Sequence, residues 1–448
     1  MMTASPAATP PPTTLRLRNV TLIDGTGRPP CENTTVVVRQ GRISYIGADA
    51  GWAAHPDEPE TVLDLAQRYL IPGLIDLHVH LAMWGQPDSR LDDQLPWSVL
   101  LMLRHAQNTL AAGITTIRDV GGRHGVEFFV RRAIQAQMWA GPRMLLAGKL
   151  LSITSWGAGY YDGMYREADG VDDVRKAVRE QIKGGADLIK VLATGAVLDE
   201  RGDPGAAEFN PDEIQAAVQE ARKFGKYVAA HAHGIDGIRN AVAAGVRTIE
   251  HGTYLHHDPR VMERMASESI FLVPTLKAIW ELAENNRPGV PAWIIQKMNA
   301  VRDDHVLSIR RAIAAGVPIA MGTDAATPYN FHGHNAVELQ LMADAGMTPM
   351  QALTAATLNA ARAVGWDDRL GSIEVGKVAD MVIVGKNPLA DLRALADQRN
   401  IELVIQDGRV VARRPDSSDH DVPERVMASA WICCGIPTRE PHGDTVTR

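Results

Sequence analysis

Two patterns of apolar and polar positions divide the chain. Near its start, "TLRLRNVTLIDG" (14–25) and "TTVVVRQGRISYIGA" (34–48) are rich in β-branched residues and run into Gly or Asp-Gly turns, and "TVLDL" (61–65) follows. Such runs predict strands. Near the other end, "GSIEVGKVADMVIV" (371–384) and "IELVIQDGRVVAR" (401–413) have the same character. The two flanks predict one small β-sandwich domain built from residues 15–70 and 366–414.

The centre, 71–365, alternates short apolar runs with polar loops and helical patterns. The runs are "LIDLHVH", "GITTIRDV", "RMLLAG", "DLIKVLAT", "YVAAHAH", "RTIEHG", "IFLVPTL" and "VPIAMGTD", eight in all. Strands alternating with helices imply parallel βα units, and eight of them predict an α/β chain folded as a (β/α)8 TIM barrel. The helices carry start signals. In "FNPDEIQAAVQEARKFGK", Asn210, Pro211 and Glu213 form a capping pattern, after which Ile214, Val218 and Ala221 share one face. Thr348, Pro349 and Gln351 repeat the device, and Gly225 and Gly365 stand where C-terminal caps belong.

Composition narrows the function. With 45% apolar and 22% charged residues the chain has material for a large core. It carries 46 Lys+Arg against 53 Asp+Glu, a net charge of −7 with no Lys/Arg block, which speaks against nucleic acid or an anionic membrane as partner. No stretch reaches the ~18–20 apolar residues of a membrane span. Residues 1–14 lack the features of a signal peptide and read as a flexible leader, so a cytoplasmic location is expected. Three cysteines, two of them the adjacent Cys433 and Cys434, do not make a disulfide scaffold. The 415–448 tail is polar apart from "VMASAWICCGI", a candidate docking arm.

The candidate chemistry sits where the apolar runs end. His78 and His80 close the first run as His-x-His, and strand alternation points both to one side, as a metal requires. They fall at the C-terminal mouth, where barrel enzymes keep their active sites. Lys190 lies between Leu188, Ile189, Val191 and Leu192. Burial lowers the pKa of such a lysine, and a neutral amine adds carbon dioxide to become a carbamate with two oxygens. A lysine paired with a carboxylate, or reaching out to solvent, is the plainer alternative. His231 and His251 end two further runs, with His233 competing with His231. Asp324 ends the eighth run, as metal ligand and proton acceptor or as cap of the next helix.

"PGLIDLHVHL", "IKVLATG", "HAHG", "IEHG" and "GTDA", in this order, resemble the amidohydrolase superfamily, over about residues 15–412. "TTIRDVGG" and "DDVRKAVREQIKGGADLIK" resemble its imidazolonepropionase-like and prolidase-like branch, which includes Xaa-Pro and Xaa-Arg dipeptidases and ochratoxin amidases. The resemblance implies two divalent metal ions, most often zinc. His78, His80 and Asp324 are expected to hold one and His231 and His251 the other, with carboxylated Lys190 and a hydroxide between them. Asp324 is the expected catalytic proton shuttle. The implied reaction is hydrolysis of an amide-type C–N bond in a small molecule, by a chain that is often a homo-oligomer. Carbamate or phenylurea hydrolysis and cyclic-amide hydrolysis are the alternatives, and a non-catalytic scaffold is the remote one.

The chain departs from the dipeptidases after its third barrel strand. They carry Gly-Gly-His there; this chain has "LSITSWGAGYYDGMY" (151–165). His233 stands where relatives often have Tyr, and is the candidate for the substrate carbonyl. The expected substrate wall is aromatic: Trp84, Trp156, Tyr160, Tyr161 and Tyr254, with Tyr165, Trp280, Tyr329 and Phe331 also in the predicted loops above the metals. Arg123 is a candidate for a substrate carboxylate, and Arg118 and Asp119 are expected to pair structurally.

Overall fold

The structure, a computed structural model, describes residues 14–54, 58–86, 94–283, 287–414 and 427–433. Apart from Thr14 the expected leader lies outside them, as do Cys434 and the Cys433 side chain.

The first β-rich segment forms β1 (Thr14–Leu22), β2 (Cys31–Arg39), β3 (Arg42–Gly47), β4 (Glu60–Asp64) and β5 (Tyr69–Pro72). The centre forms β6 (Leu74–Val79), β7 (Ile114–Asp119), β8 (Arg143–Leu146), β9 (Leu150–Ser152), β10 (Tyr165–Glu167), β11 (Ile189–Leu192), β12 (Val228–Ala232), β13 (Thr248–His251) and β14 (Phe271–Val273). The end of the chain adds β15 (Met381–Val384), β16 (Ile401–Gln406), β17 (Arg409–Arg413) and β18 (Met427–Cys433).

The two chain ends make one nine-stranded sheet in the order β18-β17-β16-β15-β5-β1-β2-β3, with β4 also paired to β1. It buries a core drawn from both ends, including Leu15, Leu17, Val36, Met381, Leu403 and Ile405. Its two tightest hairpins turn at Gln40-Gly41 and Asp407-Gly408, all four at positive φ (50°, 76°, 49° and 74°), the geometry whose twist suits a two-residue hairpin. A Cβ on Gly408 would stand 2.7 Å from the Cα of Gly41, so these turns from opposite chain ends touch. The sheet also takes in 427–433, through the parallel β17–β18 pairing. Residues 427–433 of the tail's apolar run are thus an edge strand.

The central strands are all parallel and fall into two sheets, β6-β7-β8 and β10-β9-β11-β12-β13-β14. The expected closed ladder is interrupted at two seams. The eighth run is held by isolated bridges, Leu272↔Ile319 and Val79↔Ala325, and by the Leu77 N–H donating to the Met321 carbonyl at 2.9 Å. Pro318 has no N–H to give this run, and its end turns to positive φ at Asp324 (56°) and Ala326 (82°), which breaks regular pairing. Across the other seam the Asp187 N–H donates to the Leu146 carbonyl at 2.8 Å. The 151–165 stretch, expected as a loop, holds the rest of β9, a short helix (Trp156–Tyr160) and the start of β10.

The helices cover these sheets with their apolar faces. That of Pro211–Arg222 buries Ile214, Val218 and Ala221, and its Glu213 carboxylate accepts from the Asn210 N–H at 2.7 Å. At Pro349–Ala355, Thr348 Oγ1 accepts from the Gln351 N–H and Gln351 Oε1 from the Thr348 N–H, at 3.2 and 2.8 Å. Arg143 of β8 ties the end sheet to the centre by donating to Asp380 and Asp407, at 2.6 Å each. Parallel strands end on the same side, so the residues that close them are delivered to one place.

Candidate metal centre

Five of those strand ends, on β6, β11, β12, β13 and the eighth run, deliver His78, His80, Lys190, His231, His251 and Asp324 to one cavity. It encloses about 760 Å³, counting the part open to solvent. His78 Nε2 and His80 Nε2 lie 3.5 and 3.3 Å from Asp324 Oδ1. The His251 ring is 5.0 Å from that of His78 and 4.6 Å from that of His231, centroid to centroid. Two sets of three donors, one atom each within 4.8 Å of one another, share His251: His78, His251 and Asp324, and His231, His233 and His251.

Hydrogen bonds on the outer ring nitrogens decide which inner nitrogen keeps a lone pair. His78 Nδ1 faces Glu250 Oε2 at 2.9 Å, and a carboxylate only accepts, so Nδ1 carries the proton. His231 Nε2 likewise donates to the Gly195 carbonyl at 3.2 Å, freeing its Nδ1. His251 Nδ1 and His233 Nδ1 each lie 2.7 Å from a threonine hydroxyl, Thr275 and Thr253. Lone pairs of His78 and the Asp324 carboxylate therefore face each other, an arrangement that a cation between them satisfies. The Lys190 Nζ is buried with no hydrogen-bond partner. Burial lowers its ammonium pKa to about 8, Glu250 opposing the shift and Arg118 adding to it. A buried amine with no acceptor, set among ligand-type side chains, suits conversion to a carbamate. The donor set thus fits a pair of divalent ions.

The charges in this pocket are organised from behind. Burial would raise the Asp324 carboxyl, but His78, His80 and Lys190 outweigh it and hold the group at about 2. Burial lowers His78 to about 4 and His231 to about 3, so both are neutral, as ligands must be. Glu250 is fully buried; against that burial, Arg118, Lys190 and the His78 hydrogen bond keep it ionised. Arg118, equally buried, donates to Glu250 Oε1 at 2.7 Å and to Thr248 Oγ1 at 3.0 Å. Arg118 is structural as expected, but its partner is Glu250 and not Asp119. Asp119 instead accepts from the backbone N–H groups of Leu81 and Gly121, at 3.0 Å each. Asp76 braces the loop of the eighth run, accepting from Thr323 Oγ1 at 2.6 Å and Asn335 Nδ2 at 2.7 Å. Glu250, Asp76 and Asn335 are not among the candidates that the sequence pattern singles out. A signal existed for the first two: a carboxylate inside an apolar strand, as in "TIEH" and "LIDLH", needs a buried partner.

The structure separates the expected substrate residues. His233 and Tyr161 line the cavity, together with Tyr165, whose ring stacks on Tyr161 at 6.2 Å. Trp84 packs on Trp97, Tyr254 stacks on His257, and Trp156 is 62% exposed with Arg201 over its ring. The Tyr160 side chain lies outside the described residues. Arg123 is buried away from the cavity wall, donating to the Asp162 carbonyl at 3.2 Å and to Ser98 Oγ at 3.0 Å. Ten of the 21 lining residues are aliphatic or thioether, Met83, Met164, Met298, Leu150, Leu198 and Ile279 among them.

With this geometry in view, comparison with known proteins assigns the chain. A model of the amidohydrolase family matches residues 69–411, and the chain belongs to that family. It is 33% identical over 426 residues to ochratoxinase of Aspergillus niger, covering 87% of this chain and 85% of that protein. The crystal structure of that ochratoxinase superposes with a TM-score of 0.81 at 30% identity, over 92% of this chain and 99% of the other. An Xaa-Pro dipeptidase with methionine bound in its active site also reaches 0.81, at 33% identity and over 89% and 99% of the two chains. Imidazolonepropionase of Geobacillus sp. (strain WCH70) is 24% identical over 414 residues, 85% of this chain and 91% of that one. No helix among the described residues is long and apolar enough to cross a membrane.

Proposed function

We propose that this chain is a binuclear metal-dependent hydrolase that cleaves an amide-type C–N bond next to an apolar group. The observation that carries this is the convergence of His78, His80, Lys190, His231, His251 and Asp324 on one cavity, with Lys190 unpartnered inside it. His78, His80 and Asp324 would hold one ion and His231 and His251 the other, with carboxylated Lys190 shared. When bound, two such dications, zinc in this reading, acidify water and polarise a carbonyl. The protein does the rest. Asp324, ionised and beside two imidazoles, takes the proton of the attacking water and passes it to the leaving nitrogen. His233, stacked 4.7 Å from His251 and 2.7 Å from the Thr253 hydroxyl, would bind the substrate carbonyl oxygen. Tyr161, Tyr165 and the Met and Leu side chains hold the apolar part and exclude water. In this reading the two parallel sheets act as one (β/α)8 barrel over 71–365, flanked by a β-sandwich domain of 15–70 and 366–414, in a cytoplasmic homo-oligomer.

One observation favours the carbamate or urea alternative over an N-acyl amino acid. Among the described residues, Lys190 is the only Lys or Arg on the cavity wall, so a free substrate carboxylate finds no guanidinium or second ammonium there. Zinc-loaded enzyme assayed on N-acyl-phenylalanines, dipeptides and aryl carbamates tests both readings. Turnover of at least one class, abolished by a chelator and restored by metal, is the expected result. Metal-loaded protein inert on every class contradicts the hydrolase reading. Lys190→Ala is expected to lose bound metal and activity together, with partial rescue by short carboxylates; unchanged metal content contradicts the carbamate.

A further inference from the structure

The loop that leaves β13 carries a second set of metal-type donors, apart from the buried centre. His256, His257 and Asp304 each place one ligand atom within 4.8 Å of the others. His256 is buried, Asp304 half-buried and His257 exposed. Asp304 comes from a different element, the helix Ala292–Ala314.

Hydrogen bonding again decides where the lone pairs point. Ser308 Oγ lies 2.7 Å from the Thr253 carbonyl, which only accepts, so the serine's single proton is committed there. Ser308 Oγ then accepts from the His256 backbone N–H at 3.0 Å and from His256 Nδ1 at 2.8 Å. His256 therefore carries its proton on Nδ1, and its Nε2 lone pair faces Asp304 Oδ1 at 3.4 Å. Two acceptors at that distance repel each other unless a cation joins them. The His257 ring, 4.3 Å from that of His256 and stacked on Tyr254 at 5.5 Å, brings the third donor. Arg311, the nearby cation, contacts the His256 carbonyl and not the imidazole.

We propose that His256, His257 and Asp304 form a separate surface site for one divalent transition ion. Two imidazoles and a carboxylate suit Zn²⁺, Cu²⁺ or Ni²⁺ better than Mg²⁺ or Ca²⁺. The Ser308–Thr253 link is the kind of outer partner that fixes a ligand histidine's tautomer. The exposed side of His257 leaves room for water to complete the coordination. The ion would pin the 252–258 loop to the Ala292–Ala314 helix, and Thr253 in that loop holds His233 through its hydroxyl at 2.7 Å.

The test is calorimetric titration of ZnCl₂ into full-length protein whose buried centre is already saturated. Wild type should take up one further ion with micromolar affinity and gain thermal stability as it binds. His257→Ala and Asp304→Asn, both at the surface, should each weaken that uptake at least about tenfold and cancel the stability gain. Their buried metal content and their turnover without added zinc should match wild type, which separates this site from the hydrolytic one. No further ion in wild type, as expected if a proton alone bridges His256 and Asp304, overturns the proposal. So does undiminished uptake by both variants.

Discussion

The mouth of the central strands and the nine-stranded end sheet obey different rules. In the end sheet, residues at positive φ are mostly Asn, Gln, Asp or Gly, sitting at register shifts of the β1–β2 pair, as Asn19 and Asn33 do, or in turns, as Gln40-Gly41 does. Asn, Asp and Gly adopt that backbone at little cost, and an apolar cluster including Leu15, Val36, Met381 and Leu403 lies beneath. At the mouth, besides Asp324 (56°), His251 (69°), Thr275 (52°), Ala326 (82°) and Tyr329 (60°) adopt it without being Asn, Asp or Gly. There too Arg118, Lys190 and Glu250 are buried as charges or near-charges. Strain and buried charge together mark the place where the fold is spent on chemistry and not on stability.

Substitutions in the two regions should therefore separate activity from stability. The largest effect is expected from Asp324→Asn, which removes the proposed proton acceptor while keeping the shape. Turnover should fall by about 10²–10⁴-fold with the fold intact, and a near-normal rate would refute the shuttle. Glu250→Gln should cost about 3–5 kcal/mol of stability, because Arg118 is left as a buried charge without its counter-ion. The same change should weaken metal binding about 10–100-fold, since His78 loses its carboxylate partner. A melting temperature and metal affinity equal to wild type would show that the network is ornamental. In the end sheet, Leu403→Ala should cost about 2–5 kcal/mol by leaving a cavity, yet leave kcat unchanged. A drop in kcat in that variant, measured well below its melting temperature, would erase the division between the regions.

That division also explains what was legible in the chain. The strands of the end sheet could be read because alternation, β-branching and the Asp407-Gly408 turn all point the same way. The metal-type residues were legible because each ends an apolar run or, as with Lys190, interrupts one, where a polar residue stands out. Three things were not legible. Pro318 and the positive-φ turn at Asp324 keep the eighth run from pairing as a full strand, a tertiary outcome that its apolar pattern hides. The 151–165 stretch hides short elements, β9 and β10, each of only 3 residues. The partner of Arg118 was missed because Glu250 is 132 positions away, and sequence adjacency suggested Asp119 instead. Local pattern reports which residue is unusual; only the packed fold reports what satisfies it.

The central claim is that six side chains from five strand ends hold a pair of metal ions. Anomalous diffraction from crystals of zinc-loaded protein, recorded on both sides of the zinc edge, tests it most directly. The account predicts two zinc peaks, one among His78, His80 and Asp324 and one beside His231 and His251, with extra density on Lys190 Nζ between them. Crystals of fully loaded protein with no zinc among these residues, and a bare lysine, would contradict it.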